Sequence, residues 1–262
     1  MSVIFDGKAF AARRREEILE HRKQLGTLTL GIVASSGDPV TDSYVRIKEK
    51  NAQLLNIELK RYEIETHAST DDVVHLVQEA SVCDGVIVQL PLPTSVDTSV
   101  VLAAIPSEKD VDSLSGNAEV LPPVVAAIDA IIKNNHWVMS GKKVVVLGRG
   151  KLVGKPAVNY FEQAQAQVVS LQKGDDIAPD IKDADVLVLG AGSPGLVTKD
   201  MVKEGVIVFD AGTSESNGEV VGDAHPAVAE KASFFTPVPG GIGPVAVVEI
   251  FGNLLILAKK LS

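Results

Sequence analysis

Short runs of Val, Ile and Leu alternate along the chain with longer segments whose apolar residues recur at helical spacing. The runs fall at 28–34, 85–90, 143–148, 168–171, 185–190 and 206–210. Most are continuous rather than alternating, the pattern of parallel strands covered by helices on both faces. Between them, 42–55, 70–80, 123–135 and 154–164 carry the helical period. Thr70 followed by Asp71 and Asp72 marks a helix start, and Pro123 suits a first helical position. Strand and helix in alternation predict βαβ units and doubly wound sheets.

Polar and turn-forming residues fill 109–123, and a new strand-turn-helix series begins at SGKKVVVLGRG. We therefore expect two α/β domains, a first at 1–120 and a second, Rossmann-type, at 124–240. The segment 245–262 has Val247, Val248, Ile250, Phe251, Leu254, Leu255 and Leu257 at helical spacing. It is expected to pack back on the first domain.

The chain has 262 residues, long enough for two such domains, and 25 basic against 34 acidic side chains give a net charge of −9. With 4% aromatic residues this is a poor surface for nucleic acid, so none is expected as a partner. The single cysteine, Cys83, excludes an intramolecular disulfide, suits a reducing compartment and reads as a buried inert thiol. No secretory leader and no uninterrupted apolar stretch of roughly 20 residues is evident, so no membrane is expected and the protein reads as cytoplasmic. Its five histidines are scattered without ligand spacing, and no metal is expected.

The segment VVVLGRGKLVGKP is a strand, a glycine turn and a helix start, with Gly148, Gly150 and Gly154 spaced G-x-G-x-x-x-G. Such glycines let backbone approach a pyrophosphate at a helix N-terminus; a tight turn without a ligand has the same spacing. The next strand ends in Gln172 and Lys173 rather than in an acid, and with Arg149 nearby this favours NADP over NAD. GAGSPG at 190–195 and PVPGGIGP at 237–244 are either turn chemistry or two walls of one ligand crevice. In TDSYVRIKEK, Tyr44 and Lys48 share a helix face, although on spacing alone Lys48 reads as an ordinary solvated lysine. Gln89 ends a buried strand in VIVQLPLP, and Asp110 and Asp112 of EKDVDS are either loop acids or site acids.

Taken in order, YVRIK, VQLPLP, KDVD, GRGKLVGKP, KEGVIVFDAG, VVGD and TPVPGGIGP resemble the bifunctional methylenetetrahydrofolate dehydrogenase/methenyltetrahydrofolate cyclohydrolase family over essentially the whole chain. The resemblance implies oxidation of 5,10-methylenetetrahydrofolate with NADP, then hydrolysis of the methenyl product to 10-formyltetrahydrofolate, in one-carbon metabolism. It makes Lys48 the catalytic lysine, Gln89 the amide that bonds it and Asp112 the acid that holds the pterin. Tyr44 packs on the folate, Leu90 and Pro91 border it, and Pro239, Gly240 and Gly241 form a loop over folate and cofactor. Gly148, Arg149 and Gly150 form the first cofactor turn, Lys173 borders it, and Thr213 meets the nicotinamide end. The family also implies a homodimer. Departures are Ser113 for the family's glycine after KDVD, GRG for GRS, a shortened stretch after Asn117, and Val245-Ala246 for Met-Thr. Retention of one activity alone, or a dinucleotide-binding protein without catalysis, are the competing readings.

Overall fold

A computed structural model describes residues 3–216 and 219–261. In chain order its first elements are β1 (Val3–Ile4), α1 (Gly7–Arg22), β2 (Thr29–Ser35), α2 (Pro39–Leu54), β3 (Glu58–Ile64), α3 (Thr70–Ala80), β4 (Gly85–Val88) and α4 (Thr98–Ala103). There follow α5 (Pro123–Asn134), β5 (Lys143–Leu147), α6 (Gly154–Gln163), β6 (Gln167–Leu171), α7 (Ala178–Ile181), β7 (Val186–Leu189) and β8 (Ile207–Asp210). A hairpin of β9 (Ser214–Ser216) and β10 (Glu219–Val221), then β11 (Phe234–Phe235) and α8 (Ile242–Leu261), close the chain. Contacts divide it into two units: Met1–Ala12 with Val124–Ala246, and Arg13–Pro123 with Val247–Ser262.

The second unit holds a parallel sheet in the order β3-β2-β4. Val33, Val86 and Val88 pack against Val73 and Val77 of α3 and Val101 and Leu102 of α4. Asp38 starts α2 by accepting the Thr41 N–H at 2.8 Å, with Pro39 at the first helical position. That start sets the helix phase, and with it the direction of Lys48. The apolar helix at the C-terminus belongs to this unit from Val247 on, as a helix packing back on the first domain requires. By length and composition it is also long and apolar enough to cross a membrane, although Glu249 and Asn253 interrupt its apolar run. In this fold it behaves as a core helix: Phe251 and Leu254 are fully buried, and Glu249 takes a two-pronged bond from Arg14 at 2.8 and 3.2 Å.

The other unit is a six-stranded parallel sheet ordered β1-β11-β8-β7-β5-β6, a doubly wound Rossmann-type arrangement. Its core joins Val145, Leu147, Leu187, Leu189, Val208 and Phe235. The strand order reverses at β5, so the crevice for a ligand lies at the carboxyl ends of β5 and β7. The N-terminal strand pairs with β11 in this sheet, with Phe5 stacked 5.3 Å from Phe234, whereas a boundary of 1–120 groups those residues with the other domain.

Candidate active site

Lys48 sits on α2 and is only 8% exposed, as is Gln89, which follows the last residue of β4. The Lys48 Nζ donates to Gln89 Oε1 at 2.5 Å. Gln89 in turn donates from Nε2 to the Leu90 carbonyl at 2.8 Å, which fixes the amide so that its oxygen faces the lysine. Burial pushes the Lys48 pKa down, and the charge of Asp112 opposes that shift. Asp112 keeps part of its surface open, yet burial pushes its carboxyl up; Lys48 pulls it back and Asp110 adds to the rise. These three side chains are therefore one electrostatic group. Tyr44 lies one turn before Lys48 and is half-exposed, while Leu90 and Pro91 continue from Gln89.

Asp112 is held from its loop. Asp110 is fully buried and accepts the Ser115 N–H at 2.7 Å, and Ser113 adopts a positive φ of 58°. That conformation explains the family's glycine here, and the Ser113 hydroxyl compensates by donating to the Val120 carbonyl at 3.0 Å. Asn253 of α8 donates to the carbonyls of Val111 and Leu121 at 2.9 and 2.8 Å, tying both ends of the shortened loop to the final helix.

In the other unit Gly148 follows β5 with φ +107°, and a Cβ there would meet the Gly190 carbonyl oxygen at 2.3 Å. A Cβ on Gly154 would meet the Gly148 oxygen at 2.0 Å, so strand, turn and α6 touch through bare backbone. Gly150 faces open space. Arg149 donates to the Ser170 carbonyl at 3.0 Å, which brings it to the end of β6 near the exposed Lys173. Asp175 lies in the same turn, accepts the Gln172 N–H at 2.9 Å and stands 4.0 Å from Arg149. Sequence reasoning stops at Lys173 and misses this acid.

Pro239, Gly240 and Gly241 follow β11. The Gly7 N–H donates to Gly240 O at 3.0 Å, and a Cβ on Gly7 would lie 1.8 Å from Gly241 O, so FDGK packs under this loop. The loops at 190–195 and 237–244 do border one cavity, of about 320 Å³, through Pro194, Gly195, Pro237 and Val238. His225 also lines it, a residue no motif marks. Thr213 is exposed just after Gly212, beyond the end of β8. Two buried acids to which the motifs KEGVIVFDAG and VVGD assign no role, Asp210 and Asp223, hold the backbone around it.

The arrangement has known counterparts. Residues 5–112 match the tetrahydrofolate dehydrogenase/cyclohydrolase catalytic domain, and residues 122–262 match the NAD(P)-binding domain of the same name. The chain is 36% identical to the bifunctional protein FolD of Campylobacter hominis, over 98% of this chain and 97% of that one. It is 35% identical to the bifunctional protein FolD of Staphylococcus aureus, over 98% and 96%. Among solved structures, the bifunctional methylenetetrahydrofolate dehydrogenase/cyclohydrolase FolD of Campylobacter jejuni superposes with a TM-score of 0.93 at 30% identity, covering 100% of both chains. The Trypanosoma brucei enzyme, complexed with NADP cofactor and inhibitor, gives 0.92 at 30% identity over 99% and 98%. A buried lysine–glutamine pair in one unit and a glycine turn at the switch point of the other thus sit in a chain matched over both domains, and the chain belongs to the tetrahydrofolate dehydrogenase/cyclohydrolase family.

Proposed function

We propose that both reactions of this family run on this chain through Lys48, Gln89 and Asp112. They are oxidation of 5,10-methylenetetrahydrofolate to the methenyl cation with NADP, and hydrolysis of that cation to 10-formyltetrahydrofolate. The folate-binding part is assigned to 1–120 with helix 245–262, and the NADP-binding part to 124–240. The observation that carries the reading is the buried Lys48–Gln89 hydrogen bond beside Asp112.

The cation's carbon is already electron-poor, so hydration needs only a placed water and proton transfer. Lys48, with its pKa lowered by burial, can be neutral and accept the proton of the attacking water. Returned to N5, that proton lets the carbon–N5 bond break while the hydroxyl proton of the adduct passes to Lys48 and on to solvent, which leaves the formyl group on N10. Gln89 orients the amine without binding it as an ammonium, which a carboxylate would do. Asp112 can accept two parallel bonds from the amino-pyrimidine edge of the pterin, with Tyr44, Leu90 and Pro91 as apolar cover.

The residues present fit a dinucleotide. Gly148 and Gly154 let the turn close tightly on the start of α6, Gly150 leaves open space there, and Arg149 and Lys173 would supply charge for a 2′-phosphate. When bound, NADP supplies the hydride acceptor. Thr213 and the loop of Pro239, Gly240 and Gly241 would border its nicotinamide end.

The buried free thiol of Cys83 suits a reducing compartment, and we assign the enzyme to the cytoplasm, as a homodimer with neither nucleic acid nor membrane as partner. A monomer mass by light scattering at micromolar concentration would overturn the dimer. The mechanism is tested with Lys48→Met, which keeps length and packing but exchanges no proton. Methenyl hydrolysis should fall by about 100-fold or more, while NADPH formation stays measurable. Wild-type hydrolysis in this variant removes Lys48 from the mechanism.

A further inference from the structure

Asp210 and Asp223 are 1% and 0% exposed, and six backbone N–H groups converge on them. Asp223 Oδ2 accepts from Ala191 at 2.6 Å and Gly192 at 3.2 Å, and its Oδ1 accepts from Ser193 at 2.6 Å. Asp210 Oδ1 accepts from Gly212 at 2.9 Å and Asp223 at 3.2 Å, and its Oδ2 from Ala224 at 2.8 Å. The two acids thus form a chain: the end of β8 holds the segment 223–224, and that segment holds the loop after β7.

The packing leaves no alternative to bare backbone around them. A Cβ on Gly212 would lie 2.7 Å from the Asp223 carboxyl, and one on Gly222 would lie 2.2 Å from Asp210 Oδ2. Two buried carboxylates are expensive, and apolar residues would fill a merely structural core more favourably. What they achieve is local shape. Successive N–H groups such as those of 191–193 form a concavity that attracts anions. Asp223 fills it, so the loop at the switch-point crevice is held in one form and is closed to stray phosphate. Asp210 fixes Gly212, the residue before Thr213.

We infer that Asp223 and Asp210 are positioning residues for hydride transfer: they hold the 191–193 loop and the Gly212–Thr213 turn in the shape the nicotinamide end requires, and hydration does not depend on them. This rests on the reading that Thr213 and the 148–150 turn meet NADP.

The test uses the full chain with Asp223→Asn and Asp210→Asn, each keeping size while replacing an acceptor by a donor. In cofactor-free protein, amide exchange at 191–193 should speed at least tenfold in Asp223→Asn. In both variants NADP titration should weaken about tenfold and NADP-linked oxidation should lose at least tenfold in kcat/KM. Methenyl hydrolysis should stay within twofold of wild type. Parallel loss of both activities, or unchanged oxidation, overturns the proposal. If Asp223→Asn does not fold, Asp223→Glu carries the same test, since it keeps the charge but displaces it by one methylene. A wild-type protein that lacks NADP-linked oxidation would instead sink the underlying reading.

Discussion

At the residue scale, the site is a set of charges whose neighbours decide what they do. Arg149 is the cation we propose for a 2′-phosphate, and Asp175 stands 4.0 Å from it with both side chains partly exposed. At that separation in a solvated setting the pair is worth under about 1 kcal/mol. Asp175→Asn keeps an acceptor for the Gln172 N–H and removes the competing charge. We expect the KM for NADP to fall about threefold, with the KM for NAD unchanged, in initial-rate measurements at low salt. A KM for NADP that rises would mean Asp175 orders Arg149 rather than competing with phosphate. Lys48 and Gln89 are legible only through the family resemblance: spacing alone makes Lys48 a solvated lysine, because helix phase does not tell that its face is buried against the end of β4. Asp175 is not, since a turn, rather than a strand, brings it back to Arg149. Asp210 and Asp223 stand in the motifs KEGVIVFDAG and VVGD, but their role is not legible, because acids that bond only backbone leave no pattern of partner side chains.

At the element scale, the final helix does more than fill a core. Asn253 is 3% exposed and ties the carbonyls of Val111 and Leu121. Asn253→Leu would remove the donor that serves two carbonyls of the 111–121 segment carrying Asp112, a cost of about 2–4 kcal/mol. Urea unfolding should show that loss, and the folate KM should rise because Asp112 loses its support; an unchanged KM would separate loop stability from pterin binding. The main strands and α2, α3, α5 and α6 are legible within a few residues, since continuous β-branched runs and amphipathic stretches have separate periods. β3 escapes because ELKRYEI is largely polar and lies at the sheet edge, and α1 because its RRREE stretch reads as solvated charge. The pairing of β1 with β11 is out of reach, because register between distant two-residue strands has no local signal.

At the scale of the whole molecule, buried ionisable groups set the response to acid, and stability and activity move in opposite directions. Burial raises the Asp210 pKa to about 6 from 3.8, against the pull of its three N–H donors and with the neighbouring Asp223 charge adding to the rise. Between those values the folded chain binds more protons than the unfolded one, so this group makes unfolding harder as pH falls and easier as pH rises. A rise of that size corresponds to roughly 3 kcal/mol, fully present below about 4 and lost above about 6. Function runs the other way, because only the ionised carboxylate accepts bonds at both oxygens without placing a proton among donors. NADP-linked oxidation should therefore decline as pH falls through about 6. Hydrolysis should decline according to Lys48, whose burial-lowered pKa sets where the amine becomes charged. Urea unfolding of wild type and Asp210→Asn at about pH 7 and about pH 4.5 isolates the group. The wild type should gain stability relative to the variant on acidification by about 2–3 kcal/mol. A difference that is flat with pH would show that Asp210 titrates alike in both states, and the acid limb of oxidation would then belong to another group.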